Sequence, residues 1–412
     1  MKKRDFIKTM ALGGLSLPLS GITQTLSDKP KMNFTFDGNW DRMREAYQLS
    51  SEYINLENGY YNILPKATLE HQIEQLKQLN LEGSHFMRTK MQETRERTRK
   101  TLADFLQVPE EELIITRNTT ESMDTIISGY PWQKEDNAIM ARQEYGSMLD
   151  MFKQMNRRFG VIYNLIDLPL HPESDETIVA MYEKAITPKT KMILVSHMIN
   201  ITGQILPIRK ICDMAHKYGV KVLVDGAHAV GHFEFKITEL NCDYYGASLH
   251  KWLSVPLGAG ILYVKKENIR EIWPLFGEAA YSDDDIRKLN HTGTMPLHIE
   301  NSIPFAIDFY HAIGGARKEA RLRELQLYWT SKARQISGVQ INTPAKSHRS
   351  CAIANVWKSG YSPAKMAETL MKDYRIWTVA IDAAGVRGCR ITPNVYTSFS
   401  ELDQLVEALK KM

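Results

Sequence analysis

The middle of the chain follows one pattern: short runs of β-branched and apolar residues alternate with stretches whose apolar positions recur at helical spacing. The runs are Leu113–Arg117, Asn137–Ala141, Val161–Leu168, Lys191–His197, Lys221–Asp225, Tyr244–Ser248 and Gly260–Val264. Glu121–Ser128, Ser147–Phe159, Thr177–Ala185 and Ile208–Tyr218 read as helices, the last stopped by Gly219. Near-continuous apolar strands alternate with helices in this way when a largely parallel sheet is covered on both faces. The expected fold class is therefore α/β, with a large, mostly parallel seven-stranded sheet. Ligands of such sheets sit beyond the carboxyl ends of the strands, so chemistry is sought just after each run.

From about Ala306 the pattern changes. A long charged helix over Ala316–Ile336 leads to Gln340–Asn342 and Cys351–Trp357, a helix Pro363–Asp373, and strands near Trp377–Ile381 and Gly388–Thr392. A closing helix Glu401–Lys410 has Ser400 as its expected N-cap. The chain thus divides into a large unit over 28–305 and a smaller α+β unit over 306–412. Residues 1–27 read as an address. Lys2, Lys3 and Arg4 precede an apolar, small-residue stretch from Thr9 to Ile22, the layout of an export signal and too short for a membrane span. Lys3-Arg4-Asp5-Phe6-Ile7-Lys8 resembles a twin-arginine signal with lysine in place of the first arginine, so export, to the periplasm, is expected. If that signal is not used, the protein stays cytoplasmic.

With 52 basic against 48 acidic side chains, the net charge of +4 offers no basic surface for nucleic acid. No other stretch is long and apolar enough to span a bilayer. Cys212, Cys242, Cys351 and Cys389 have no metal-ligand spacing, and no metal site is expected.

Three strand ends carry chemistry. Val222-Leu223-Val224-Asp225-Gly226-Ala227-His228 places an acid at the end of a buried strand, where it serves equally as a cap or a catalytic group. Ser248-Leu249-His250-Lys251-Trp252 sets a hydroxyl, an imidazole and an amine around a later strand end; alone, the lysine reads as one that reaches for solvent. Thr116-Arg117-Asn118-Thr119-Thr120-Glu121 joins a strand to a helix N-terminus, an anion site or a plain cap.

Taken together, these segments resemble the class V aminotransferase family of pyridoxal-phosphate enzymes, of fold type I, and most of all its isopenicillin N epimerase-like and cysteine desulfurase-like members. The resemblance runs from about Leu56 to the C-terminus. It implies that Lys251 forms a Schiff base with pyridoxal 5'-phosphate and later carries the Cα proton, while Asp225 pairs with the pyridine nitrogen. It implies that His228 lies by the ring, that Tyr145 in Gln143-Glu144-Tyr145-Gly146 stacks on it, and that Asn200 contacts its phenolic oxygen. The phosphate would be held by Thr119, Thr120, Ser248 and His250. Thr294, in His291-Thr292-Gly293-Thr294, would reach it from the neighbouring subunit, which implies a homodimer with shared sites. Arg390, in Gly388-Cys389-Arg390-Ile391-Thr392, would fork the substrate carboxylate. Leu56-Glu57-Asn58-Gly59-Tyr60-Tyr61 resembles the substrate loop, with Asn58 as a binding residue, and Arg88 falls where another lining residue is found.

Desulfurases need a cysteine on a loop upstream of that arginine, and Tyr374–Gly388 has none. Cys389 sits beside Arg390 on a strand and so points to the opposite face. The expected activity is aminotransferase or epimerase chemistry at Cα of an amino acid through an external aldimine. A β-lyase or desulfurase-like enzyme is the alternative, and a cofactor-fold protein without catalysis a more remote one.

Overall fold

The computed structural model describes residues 34–412, which form one compact unit; the segment read as an export signal lies outside the described residues. Seven strands make the large sheet: β1 (Leu113–Thr116), β2 (Asn137–Ala141), β3 (Ile162–Ile166), β4 (Thr190–Ser196), β5 (Lys221–Asp225), β6 (Tyr244–Ser248) and β7 (Gly260–Val264). Their order is β1-β7-β6-β5-β4-β2-β3, with only β7 antiparallel to its neighbours. The mostly parallel α/β sheet expected from the alternation is the one found. Side chains along each strand divide between two cores, as the period of two requires. Ile139, Ile193, Val195, Val222 and Val224 pack on one face, and Ala138, Met140, Met192, Leu194 and Leu223 on the other.

The C-terminal part contributes β8 (Val339–Ile341), β9 (Ala354–Lys358), β10 (Ile376–Trp377), β11 (Val379–Ala383) and β12 (Val386–Ile391). Four of these run antiparallel in the order β11-β12-β9-β8, while β10 pairs in parallel with the short strand Ile54–Asn55. That pairing carries the loop after Asn55 across to β12, where the Thr392 amide donates to the Leu56 carbonyl at 2.8 Å. The closing helix runs Phe399–Lys411 and is capped by Ser398, not Ser400. Ser398 and Glu401 form a reciprocal capping box. Phe399 packs 4.5 Å from the Tyr328 ring and 4.6 Å under the Arg321 guanidinium, which brings the helix start two residues earlier than expected. Among the described residues no helix is long and apolar enough to cross a membrane, and no cluster of three acidic, His or Cys side chains is placed to hold a metal.

Candidate active site

Because β1, β2, β4, β5 and β6 all end at one edge of the sheet, their terminal residues converge. They line a cavity of about 210 Å³ together with the loop from the N-terminal side: Thr119 and Thr120 after β1, Tyr145 after β2, Asn200 after β4, Asp225 and His228 after β5, and Ser248, His250 and Lys251 after β6. Every expected cofactor contact except Thr294 is therefore in one place. Thr294 lies with Arg88, Tyr281 and His291 in a separate hollow of about 760 Å³.

At one end of the cavity the helix Thr119–Gly129 presents its first turn. Asn118 caps it through the Glu121 amide, and Ser248 Oγ accepts the Thr119 amide at 3.0 Å while lying 2.7 Å from the Thr119 hydroxyl. Hydroxyls and N–H groups at a helix N-terminus suit a phosphate dianion. His250 faces the same cavity. Its Nδ1 is buried without a hydrogen-bond partner, and burial followed by the Lys251 charge pushes the imidazole down to about 4.

In the same cavity Asp225 accepts the Ala227 amide at 2.9 Å, in a turn pressed against Tyr245. A Cβ at Gly226 would fall 2.2 Å from the Tyr245 ring, so only glycine fits there. Burial raises the Asp225 carboxyl, and the Ala227 N–H and the Lys251 charge oppose it. Lys251 Nζ lies 3.2 Å from His228 Nε2, and burial brings the amine down to about 8 against the pull of Asp225. Burial, then Lys251, push His228 well below its ordinary value.

Two expected substrate contacts are placed differently from the rest. Asn58 is buried behind the cavity, its amide donating to the Thr392 carbonyl at 2.7 Å and its oxygen accepting from the Tyr396 hydroxyl at 2.6 Å. Arg390 is fully buried and forks Glu57, with Nε to Oε2 at 3.0 Å and Nη2 to Oε1 at 2.7 Å. The loop instead brings Tyr60 and Tyr61 to the cavity, joined there by Met148, Ser196 and Met198. Glu144, which follows Gln143 and precedes Tyr145, joins the group without a role that its sequence context announces. It is buried, hydrogen-bonded to Ser196, and raised to about 8 by burial, with the nearby Asp225 charge adding to the shift. Only its place beside Tyr145 hinted at it. All four cysteines are buried, and burial pushes Cys389 up to about 12.

A doubly wound sheet with a lysine, an acid and a hydroxyl-lined helix N-terminus at its carboxyl edge defines a pyridoxal-phosphate-dependent enzyme of fold type I. The aminotransferase class-V family profile matches residues 63–390, and the chain belongs to that family. Pyridoxal 5'-phosphate is its cofactor, and the donor set above fits it.

Among its relatives is the isopenicillin N epimerase of Streptomyces clavuligerus, 27% identical over 90% of this chain and 97% of that protein. A probable cysteine desulfurase of Halalkalibacterium halodurans is 29% identical over 64% of this chain and 67% of that one. Among solved structures, a C-DES variant with glycine covalently linked to its PLP cofactor superposes with a TM-score of 0.82 at 21% identity, covering 90% of this chain and 99% of that one. That likeness shows the fold.

Proposed function

We propose that this enzyme acts at Cα of an amino acid, as an aminotransferase or an epimerase. One observation carries the reading: a buried lysine amine, brought down to about 8 and set against His228, lines one cavity with the hydroxyls of Thr119 and Ser248. The bound cofactor supplies an electron sink for the bond at Cα that breaks. Thr119, Thr120, Ser248 and His250 would hold the phosphate, and Asp225 would pair with the ring nitrogen. Tyr145 lines the same cavity and would offer a flat face to the ring. Lys251 Nζ would hold the cofactor, and as a free amine would carry the Cα proton. An amine brought down to about 8 has a substantial neutral fraction near that pH, as a proton acceptor requires.

Chemistry at Cβ is the second reading, as a β-lyase or a desulfurase-like enzyme. The buried thiols weigh against persulfide formation, which needs a thiolate free to reach the substrate. β-Elimination needs no thiol. The deciding experiment incubates the holoenzyme with a panel of L-amino acids and follows keto acid, ammonia, sulfide, chirality and α-proton exchange. Keto acid without ammonia identifies an aminotransferase, and loss of chirality without either an epimerase. Ammonia or sulfide with loss of the β-substituent overturns the Cα reading.

The site is further proposed to be completed in a homodimer. Thr294 lies outside the cavity of its own chain, and a second copy would bring its Thr294 to the phosphate cup. Sedimentation of the holoenzyme as a monomer would defeat this. Export is proposed from Lys3 and Arg4, with replacement of both by Gln expected to retain the protein inside the cell. Unchanged export would remove that reading.

A further inference from the structure

Arg390 closes β12, and its fork is already filled by a carboxylate from the chain itself. Nε and Nη2 donate to the two oxygens of Glu57 in the bidentate geometry that a guanidinium offers any carboxylate. Its remaining arm, Nη1, donates to the Asn200 carbonyl at 3.2 Å. The pair is dry, with side-chain exposures of 0% for Arg390 and 4% for Glu57. Glu57 Oε1 also accepts the amides of Gly59 at 2.8 Å and Tyr60 at 2.9 Å. A Cβ at Gly59 would come within 3.1 Å of Arg390 Cζ and of Glu57 Oε1, so the loop packs closely on the pair. The Tyr60 ring lies over Cζ at 4.4 Å. Tyr60 and Asn200 both line the cavity, so the pair sits one residue behind its wall.

We propose that Glu57 determines specificity by competing with the substrate's carboxylate for Arg390, so that an amino acid enters by exchanging one carboxylate for another. The inference rests on the amino-acid reading above. Pulling Glu57 off Arg390 with nothing in exchange leaves a buried charge unpaired, which is strongly unfavourable. A ligand that brings its own carboxylate keeps Arg390 paired as Glu57 leaves it, while Glu57 Oε1 retains the Gly59 and Tyr60 amides. An amine without a carboxylate does not, and gains nothing from Arg390. The internal carboxylate thus sets how much affinity the substrate's carboxylate must supply.

The test compares L-amino acids with their decarboxylated amines, such as L-phenylalanine with phenethylamine. Each is titrated into holoenzyme and read by the shift of the cofactor's visible band and by the rise in melting temperature. In Glu57→Gln the guanidinium is left uncompensated, and amino-acid affinity is expected to rise about tenfold or more relative to the matched amine, whose affinity stays within about twofold. Should Glu57→Gln fail to fold, Glu57→Asp keeps the charge but shortens the reach, and a smaller change of the same sign is expected. Arg390→Lys removes the fork, and the preference for the amino acid is expected to fall. A preference ratio that is unchanged in the folded variants overturns the proposal. Wild-type enzyme that responds to neither ligand removes the amino-acid reading itself, and this inference with it.

Discussion

Lys251 Nζ lies 3.2 Å from His228 Nε2, and the other imidazole nitrogen of His228, Nδ1, accepts the indole N–H of Trp252 at 3.3 Å. An indole nitrogen only donates, so the proton of the neutral imidazole is assigned to Nε2 and points at the amine. The contact is a hydrogen bond when the lysine is neutral, in agreement with the downward push of burial on both groups. The stack of Trp252 on His232, with centroids 3.7 Å apart, fixes the indole. Lys318 donates to the Trp252 carbonyl from the other side.

The apoprotein should therefore capture the cofactor's aldehyde at lower pH than an ordinary lysine would. Its amine is brought from 10.5 to about 8, so the rate is expected to rise with pH and reach half its maximum near 8. Stopped-flow growth of the visible band across pH 6.5–10.5 checks this, and a midpoint near 10 would contradict the buried, neutral amine.

Lys251→Ala is expected to abolish the borohydride-reducible link to the cofactor and to lower kcat by roughly 10³-fold or more, because it removes both attachment and proton carrier. Mass spectrometry after reduction gives the first readout. Asp225→Asn should retain the reducible link while losing activity, which separates the two roles.

Glu144 ties stability to pH. Its buried carboxyl titrates near 8 in the fold against an ordinary 4.5, so the folded state holds the proton more tightly. Its contribution is complete below about 4.5 and is lost as pH rises toward 8. Glu144→Gln should flatten this decline, with melting temperature changing less between pH 5 and 8 than in wild type. Parallel curves for the two proteins would show that Glu144 is not the group responsible.

The closing helix provides a test of its boundary. Ser398→Ala removes the capping box and should cost about 1 kcal/mol, whereas Ser400→Ala, one residue inside the helix, should cost close to nothing. Urea denaturation of the two variants distinguishes them.

Much of the cofactor site is legible in the sequence because it is local. An apolar run that ends in Asp225, or in Ser248 followed by Lys251, states both the strand and the polar group at its end. One sheet then brings those ends together. The cap at Ser398 shows where locality begins to fail, since Ser398 and Ser400 are both acceptable caps by composition, and Phe399 packing on Tyr328 and Arg321 chose between them. The substrate side belongs to the tertiary structure. The loop Leu56–Tyr61 meets β12 only because Ile54–Asn55 pairs with β10, from more than three hundred positions away. That pairing turned Asn58 toward Thr392 and Tyr396, brought Tyr60 and Tyr61 to the cavity, and gave Arg390 a partner in Glu57. Strand period and strand-end chemistry are properties of neighbours in the chain, so the sequence alone determined the sheet and its lysine. Which carboxylate fills an arginine's fork depends on how the backbone is routed, and only the folded chain decided that.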